Sequence, residues 1–215
     1  MSAIGSAAEN KFWLRVGFTH LKSDIDLLPI FQREVNRPDN RPKLIVLHIN
    51  GSHPQVCNYA VPESYKWRMH DSYYKEAFCY VESIRQTDEF LSFVYDTLKA
   101  SGQSFSMIYF ADHGLSHSEV GGQLVLKHAN PSAQCRDIPL FMTSSEDKER
   151  RVVKGRRLAR RFVEGAAHWL GIKTRQLPSP RGLFDPEIDP DREWEGHEQL
   201  MRSRRQDPAV NILEH

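Results

Sequence analysis

Two places in the sequence put imidazole or carboxylate groups beside glycine just after a short apolar run. The first holds His48 and His53 around Asn50-Gly51-Ser52-His53-Pro54. The second holds Asp112, His113 and His117 in and after Asp112-His113-Gly114, with His128 following a glycine-bearing loop. These six side chains are candidate metal ligands or acid-base groups. Neighbouring carboxylate and imidazole groups can meet on one divalent ion only after the chain leaves the extended conformation, because alternation along a strand points them apart. Gly114 permits the tight turn and close approach that this requires. The same triplet also reads as a polar strand cap, with Asp112 bonded to backbone amides and His113 solvated. His48 lies within its apolar run and reads as a core histidine, which leaves His53, beyond Gly51, as the better ligand. Cys135 reads as structural, since only Arg136 is nearby to lower its pKa.

Elements must carry these groups. Lys43-Leu44-Ile45-Val46-Leu47-His48-Ile49 and Ser106-Met107-Ile108-Tyr109-Phe110-Ala111 are short, apolar and partly β-branched, the pattern of buried parallel strands that empty into polar loops. Between them, residues 72–100 run without Gly or Pro. Tyr80, Ile84, Phe90, Leu91, Val94 and Leu98 support a helix there, and Gly102 supplies its stop. Strand, helix and strand make a βαβ unit, with the two polar loops at the carboxyl edge of a parallel sheet, where ligands collect. An earlier helix is expected over 24–35, bent or shortened by Pro29. A third strand is expected over 138–143, its Pro139 marking an edge or a start. A further helix is expected over 152–170, closed by Gly171.

Composition limits the function classes. The chain has 215 residues, 40% hydrophobic and 27% charged, with formal net charge +1, as expected for one globular α/β domain. No apolar run approaches the roughly 20 residues of a membrane span. A near-neutral total gives no global case for nucleic acid. Any such case is local: Lys148, Arg150, Arg151, Lys154, Arg156, Arg157, Arg160 and Arg161 crowd one stretch, which could meet lipid or nucleic-acid phosphates or simply form a solvated face. Cys57, Cys79 and Cys135 are too few for a disulfide scaffold, although one pair could form in an oxidising compartment. The expected organisation is a loose arm over 1–11, an α/β domain over 12–185, an irregular tail over 186–212 with a helical stretch near 193–204, and a vector-encoded remnant at 213–215.

Taken in order, the motifs resemble those of the sulfatase-like phosphoethanolamine transferases of the alkaline phosphatase superfamily. The matching pieces are Ile45-Val46-Leu47-His48 with Gly51-Ser52-His53, then Tyr80 through Thr87-Asp88, Tyr109-Phe110-Ala111-Asp112-His113-Gly114 and Leu126-Lys127-His128. Arg136-Asp137-Ile138-Pro139 and Ala167-His168-Trp169-Leu170-Gly171-Ile172 complete the series. The resemblance implies a mostly parallel α/β sheet flanked by helices, with Asp112 and His113 as zinc ligands and His53 and His128 facing the phosphoryl group or a second metal. It also implies transfer from a phospholipid head group to a glycolipid or sugar acceptor, by a protein anchored in an inner membrane with a periplasmic catalytic domain. No nucleic-acid partner is implied. The family's nucleophilic threonine and an acidic zinc ligand have no match in residues 1–42, where Thr19 is the sole threonine. The expectation is therefore an N-terminally truncated domain without its nucleophile, inactive alone and holding zinc weakly. The alternatives are a sulfatase or phosphodiesterase of the same fold, or a non-catalytic anion-binding remnant.

Overall fold

The computed structural model describes residues 8–12, 23–54, 56–58, 73–128, 132–136, 138–154, 157–177, 182–186 and 207. By internal contacts the chain divides into two compact units, residues 1–146 with 205–215, and residues 147–204. The expected helix over 193–204 and the remnant at 213–215 lie outside the described residues.

In the first unit, Asp24–Leu27 forms a 3-10 turn that passes into helix α1, Leu28–Asn36. Pro29 sits in the first turn of α1, where its missing N–H costs nothing and its fixed φ favours a helical start. It therefore opens the α-helix rather than bending one already begun. Helix α2, Lys75–Ala100, matches the uninterrupted stretch in the sequence. It ends as expected, with Gly102 at φ 67° and the Ser101 and Gly102 amides bonded to carbonyls of the last turn. Leu28, Phe31 and Val35 of α1 pack on Phe90 and Val94 of α2 as the buried core, with Leu27, Ile45, Leu47, Ile49, Leu91, Leu98 and Met107 around it.

The strands depart from expectation. β1, Ser106–Phe110, pairs antiparallel with β4, Leu140–Ser144, and β2, Ser116–Val120, pairs antiparallel with β3, Gln123–Lys127. Both pairings among the described residues are antiparallel, and no parallel pair of 43–49 with 106–111 occurs among them. Residues 43–49 form no ladder there. They still alternate like a strand: Ile45, Leu47 and Ile49 turn toward the core, while Leu44 and Val46 are 57% and 62% exposed. His48 falls on the open face and is exposed, which corrects its reading as a core histidine. An apolar run was expected to be covered on both faces, but here the helices cover only one.

The glycine-bearing loop before His128 is a β-hairpin, β2–β3. Gly121 and Gly122, at φ 60° and 74°, form the two-residue turn whose positive φ values only glycine adopts cheaply. The outer edge of β3 is tied to the start of α2, where Tyr73 O accepts Leu124 N–H at 3.0 Å and Glu76 Oε2 accepts Leu126 N–H at 2.7 Å. A disulfide joins Cys57 to Cys79 of α2, and Cys135 is a buried free thiol.

In the second unit the helix is shorter than expected. Helix α3 covers Phe162–Trp169, preceded by a 3-10 turn, Ala159–Arg161. The sequence upstream pairs Arg156 with Arg160 and Arg157 with Arg161 at i,i+4. Such like-charge pairs, together with the β-branched Val152-Val153 and Gly155, work against continuing the helix toward residue 152. Leu183 packs directly on Gly165 of α3, where an added Cβ would lie 2.5 Å from Leu183 Cγ. The Arg157 guanidinium donates to the Leu183 and Asp185 carbonyls and ties the same segment down.

Candidate functional site

Asp112 and His113 follow β1 directly, in the turn that leads to β2. Asp112 Oδ1 accepts the His113 backbone N–H at 2.9 Å. His113 Nδ1 lies 3.0 Å from the Gly114 carbonyl, and a carbonyl only accepts, so Nδ1 must carry the proton. In the neutral ring this leaves Nε2 with its lone pair available, the form a metal requires. His113 Nε2 is 3.8 Å from Asp112 Oδ1. Two ligands on one tetrahedral zinc stand about 3.3 Å apart, so a small adjustment of an 87% exposed carboxylate would let both reach one ion. The pair fits half of a zinc site.

The hairpin explains how His128 comes to this loop from fifteen residues away. Ser116 pairs with Lys127, so the chain leaving β3 returns beside the chain entering β2. The His128 ring stacks on His113 with centroids 5.1 Å apart and planes inclined 30°. This backbone is held from beneath: Ser116 Oγ donates to Lys127 O at 3.0 Å, and Cys135 Sγ lies 3.8 Å from the same carbonyl. The Gly114 N–H donates to Cys135 O at 2.9 Å. Cys135 is thus structural, as its surroundings in the sequence suggested, and it braces the turn carrying His113.

His53 sits on a different turn, whose support was not legible in the sequence. Asp24 accepts the Asn50 and Gly51 amides at 2.9 and 2.8 Å, one on each carboxylate oxygen. The His53 N–H bonds Asn50 O at 3.2 Å, and Nδ1 lies 3.2 Å from Pro54 O. Gly51 has φ 52° and stands 3.9 Å, measured from an added Cβ, from Thr87 of α2. Among the described residues no three His, Cys, Asp or Glu side chains gather to hold a metal, so the structure brings together Asp112, His113 and His128 as neighbours but completes no ligand set.

His117 points elsewhere. Its backbone N–H donates to Asp207 Oδ2 at 3.0 Å and its Nδ1 lies 3.7 Å from the same oxygen, while Gln134 and Asp207 exchange amide bonds of 3.3 and 3.1 Å. Asp207, ninety residues away, could not have been linked to His117 by spacing. Burial pushes the phenol pKa values of Tyr80 and Tyr109 upward, and the nearby Tyr80 acts in the same direction on Tyr109.

With this geometry in view, the comparisons are informative. The sulfatase family profile matches residues 3–172. The chain belongs to the sulfatase family. Within it, the chain is 36% identical over 181 residues to phosphoethanolamine transferase OpgE of Escherichia coli K12, covering 82% of this chain and 34% of that protein. A putative phosphoethanolamine transferase of Haemophilus influenzae is 39% identical over 128 residues, 55% of this chain and 26% of that protein. The putative transferase YhbX of Escherichia coli K12 is 32% identical over 117 residues, 54% of this chain and 21% of that protein. The chain therefore spans about a third or less of the curated relatives it matches. No solved structure matches it significantly. The matches place this sequence among the sulfatase-like phosphoethanolamine transferases, and the family implies an α/β fold of the alkaline phosphatase kind.

Proposed function

We propose that this chain is part of a metal-dependent phosphoethanolamine transferase that moves a head group from a phospholipid to a glycolipid or sugar acceptor. The observation that carries the reading is the Asp112–His113 pair, with His113 Nε2 3.8 Å from the carboxylate and the ring stacked on His128. The relatives' names favour transfer over hydrolysis. Asp112 and His113 Nε2 are the proposed zinc ligands. A bound zinc supplies positive charge that lowers the pKa of an attacking hydroxyl and offsets charge on phosphoryl oxygens. The exposed ring of His128 is the first proposed contact to those oxygens, and His53 on the Asp24-held turn is the second. No residue of this chain is assigned as the nucleophile. The Cys57–Cys79 disulfide supports an oxidising compartment, in keeping with a periplasmic domain of a protein anchored in the inner membrane. Among the described residues no helix is long and apolar enough to cross a membrane.

The test is elemental analysis and calorimetric zinc titration of the chain, its Asp112→Ala and His113→Ala variants, and a chelated sample. We expect weak binding at one site, loss in both variants, and a melting temperature nearly unchanged by chelator, because the core of α1 and α2 does not depend on metal. Chelation that unfolds the protein, or undiminished zinc binding by Asp112→Ala, would overturn the assignment.

A further inference from the structure

We infer that the second unit carries a docking surface for an anionic phospholipid bilayer, separate from the Asp112–His113 pair. Residues 147–175 hold ten lysines and arginines against three acidic residues, in a chain whose total charge is only +1. Some of these cations are spent within the fold: Arg157 on the Leu183 and Asp185 carbonyls, Arg161 on Glu164, and Arg151 on Glu149. Lys148, Arg150 and Lys154 are exposed along a stretch without regular structure, and Lys173 and Arg175 are exposed beyond α3.

Charge alone describes a solvated face. The second observation is that large aliphatic side chains are exposed among these cations. Val152 is 72% exposed and Val153 lies exposed beside it, so that Arg150-Arg151-Val152-Val153-Lys154 presents two valines between cations. On α3, Val163 is 66% exposed, and exposed Leu170 follows directly on the end of the helix, with exposed Ile172 and Lys173 after it. Aliphatic groups that insert at the acyl boundary, rimmed by cations that meet head-group phosphates, are the components of an interfacial membrane contact. A nucleic acid would use the same cations through its phosphates, but it would gain nothing from exposed valine and isoleucine. The Cys57–Cys79 disulfide also argues against the reducing cytosol where such a partner is met. The biological sense of the surface rests on the phospholipid-donor reading above, since a lipid substrate has to be reached at its bilayer.

The experiment is flotation of the full 215-residue chain with vesicles of phosphatidylethanolamine and phosphatidylglycerol, with phosphatidylcholine vesicles and a DNA duplex as comparisons. We expect binding to the anionic vesicles, loss at high salt, and little binding to phosphatidylcholine. Lys148→Ala, Arg150→Ala and Lys154→Ala together should weaken binding on the order of a hundredfold. Val152→Ser with Val153→Ser should weaken it by up to about tenfold for each valine. Both sets alter exposed side chains, so unchanged thermal melting confirms that the fold is intact. Asp112→Ala should leave vesicle binding untouched, which separates failure here from failure of the zinc assignment. No binding to anionic vesicles, equal binding to phosphatidylcholine, variants that bind like the parent, or DNA bound as tightly as the vesicles would each overturn the proposal.

Discussion

Residues 43–49 and β1 are nearly interchangeable as sequences: both are short, apolar and partly β-branched, and both run into a polar turn that bears a candidate histidine. In the structure they differ. β1 gains five register partners in β4, and the ladder continues at both ends through Ala111 N–H to Pro139 O and Ser145 N–H to Phe105 O. Residues 43–49 lean three side chains on the α1–α2 core, Lys43 Nζ donates to the Glu34, Val35 and Arg37 carbonyls, and the Asn50 and Gly51 amides of the distal turn donate to Asp24. An apolar run specifies extended chain. Whether that chain becomes a strand depends on a partner, which the run itself does not encode.

The comparison can be broken at its shared support. Phe90→Ala empties the core against which Ile45, Leu47, Ile49 and Met107 pack, and should cost about 3–5 kcal/mol in urea unfolding. A loss below about 1 kcal/mol would mean that the two segments do not share this core. A more selective probe is Asp24→Ala, which removes two charge-assisted bonds from the 50–51 turn and should cost about 2–3 kcal/mol. Amide hydrogen exchange sharpens it: residues 43–49 should exchange faster than the β1 amides that face β4, and Asp24→Ala should accelerate residues 50 and 51 while leaving β1 unchanged. If β1 accelerates equally, the two turns are one cooperative unit and the contrast fails.

The smallest expected effect is an alkaline one. Folded pKa values of Tyr80 and Tyr109 lie above their unfolded values because burial disfavours the phenolate. Their neutral forms therefore contribute stability that is fully present below the ordinary tyrosine range near pH 10, and it is lost as pH rises through the folded values. Phenolate absorbance should show Tyr80 and Tyr109 titrating late together with Tyr73, whose phenol is raised by burial and by the Glu119 carboxylate beside it, and Tyr109→Phe should remove one of the three. If all seven tyrosines titrated together, the phenols of Tyr80 and Tyr109 would not be buried.

How much the sequence disclosed follows from the range of the interactions involved. The span of α2 and its stop at Gly102 depend on neighbours a few residues away, and both were legible. The hairpin signal was present too, since Gly121-Gly122 between Glu119-Val120 and Gln123-Leu124-Val125 is a two-residue turn pattern, but the charged and polar content of 116–120 obscured it. The helix expected from 152 begins only at Phe162, because repulsion among arginines one turn apart opposes what the apolar stripe favours. The candidate pair Asp112 and His113 was found because the groups adjoin in sequence. The supports were not: Asp24 under residues 50–51, Cys135 under Gly114 and Asp207 at His117 all depend on contacts across 21 to 90 residues, a range at which composition and periodicity carry no information.

The paired arms of the β2–β3 hairpin also work as a ruler. Their register sets which residue of β3 stands across from Ser116, and hence how far along the returning chain His128 emerges beside His113. Lengthening the turn within its own loop leaves that measure intact. Inserting one residue within β2 or β3 shifts the count by one and turns alternate side chains to the opposite face. Among related sequences, length variation compatible with the stacked histidines should therefore concentrate at the tip of this hairpin and be scarce along its arms.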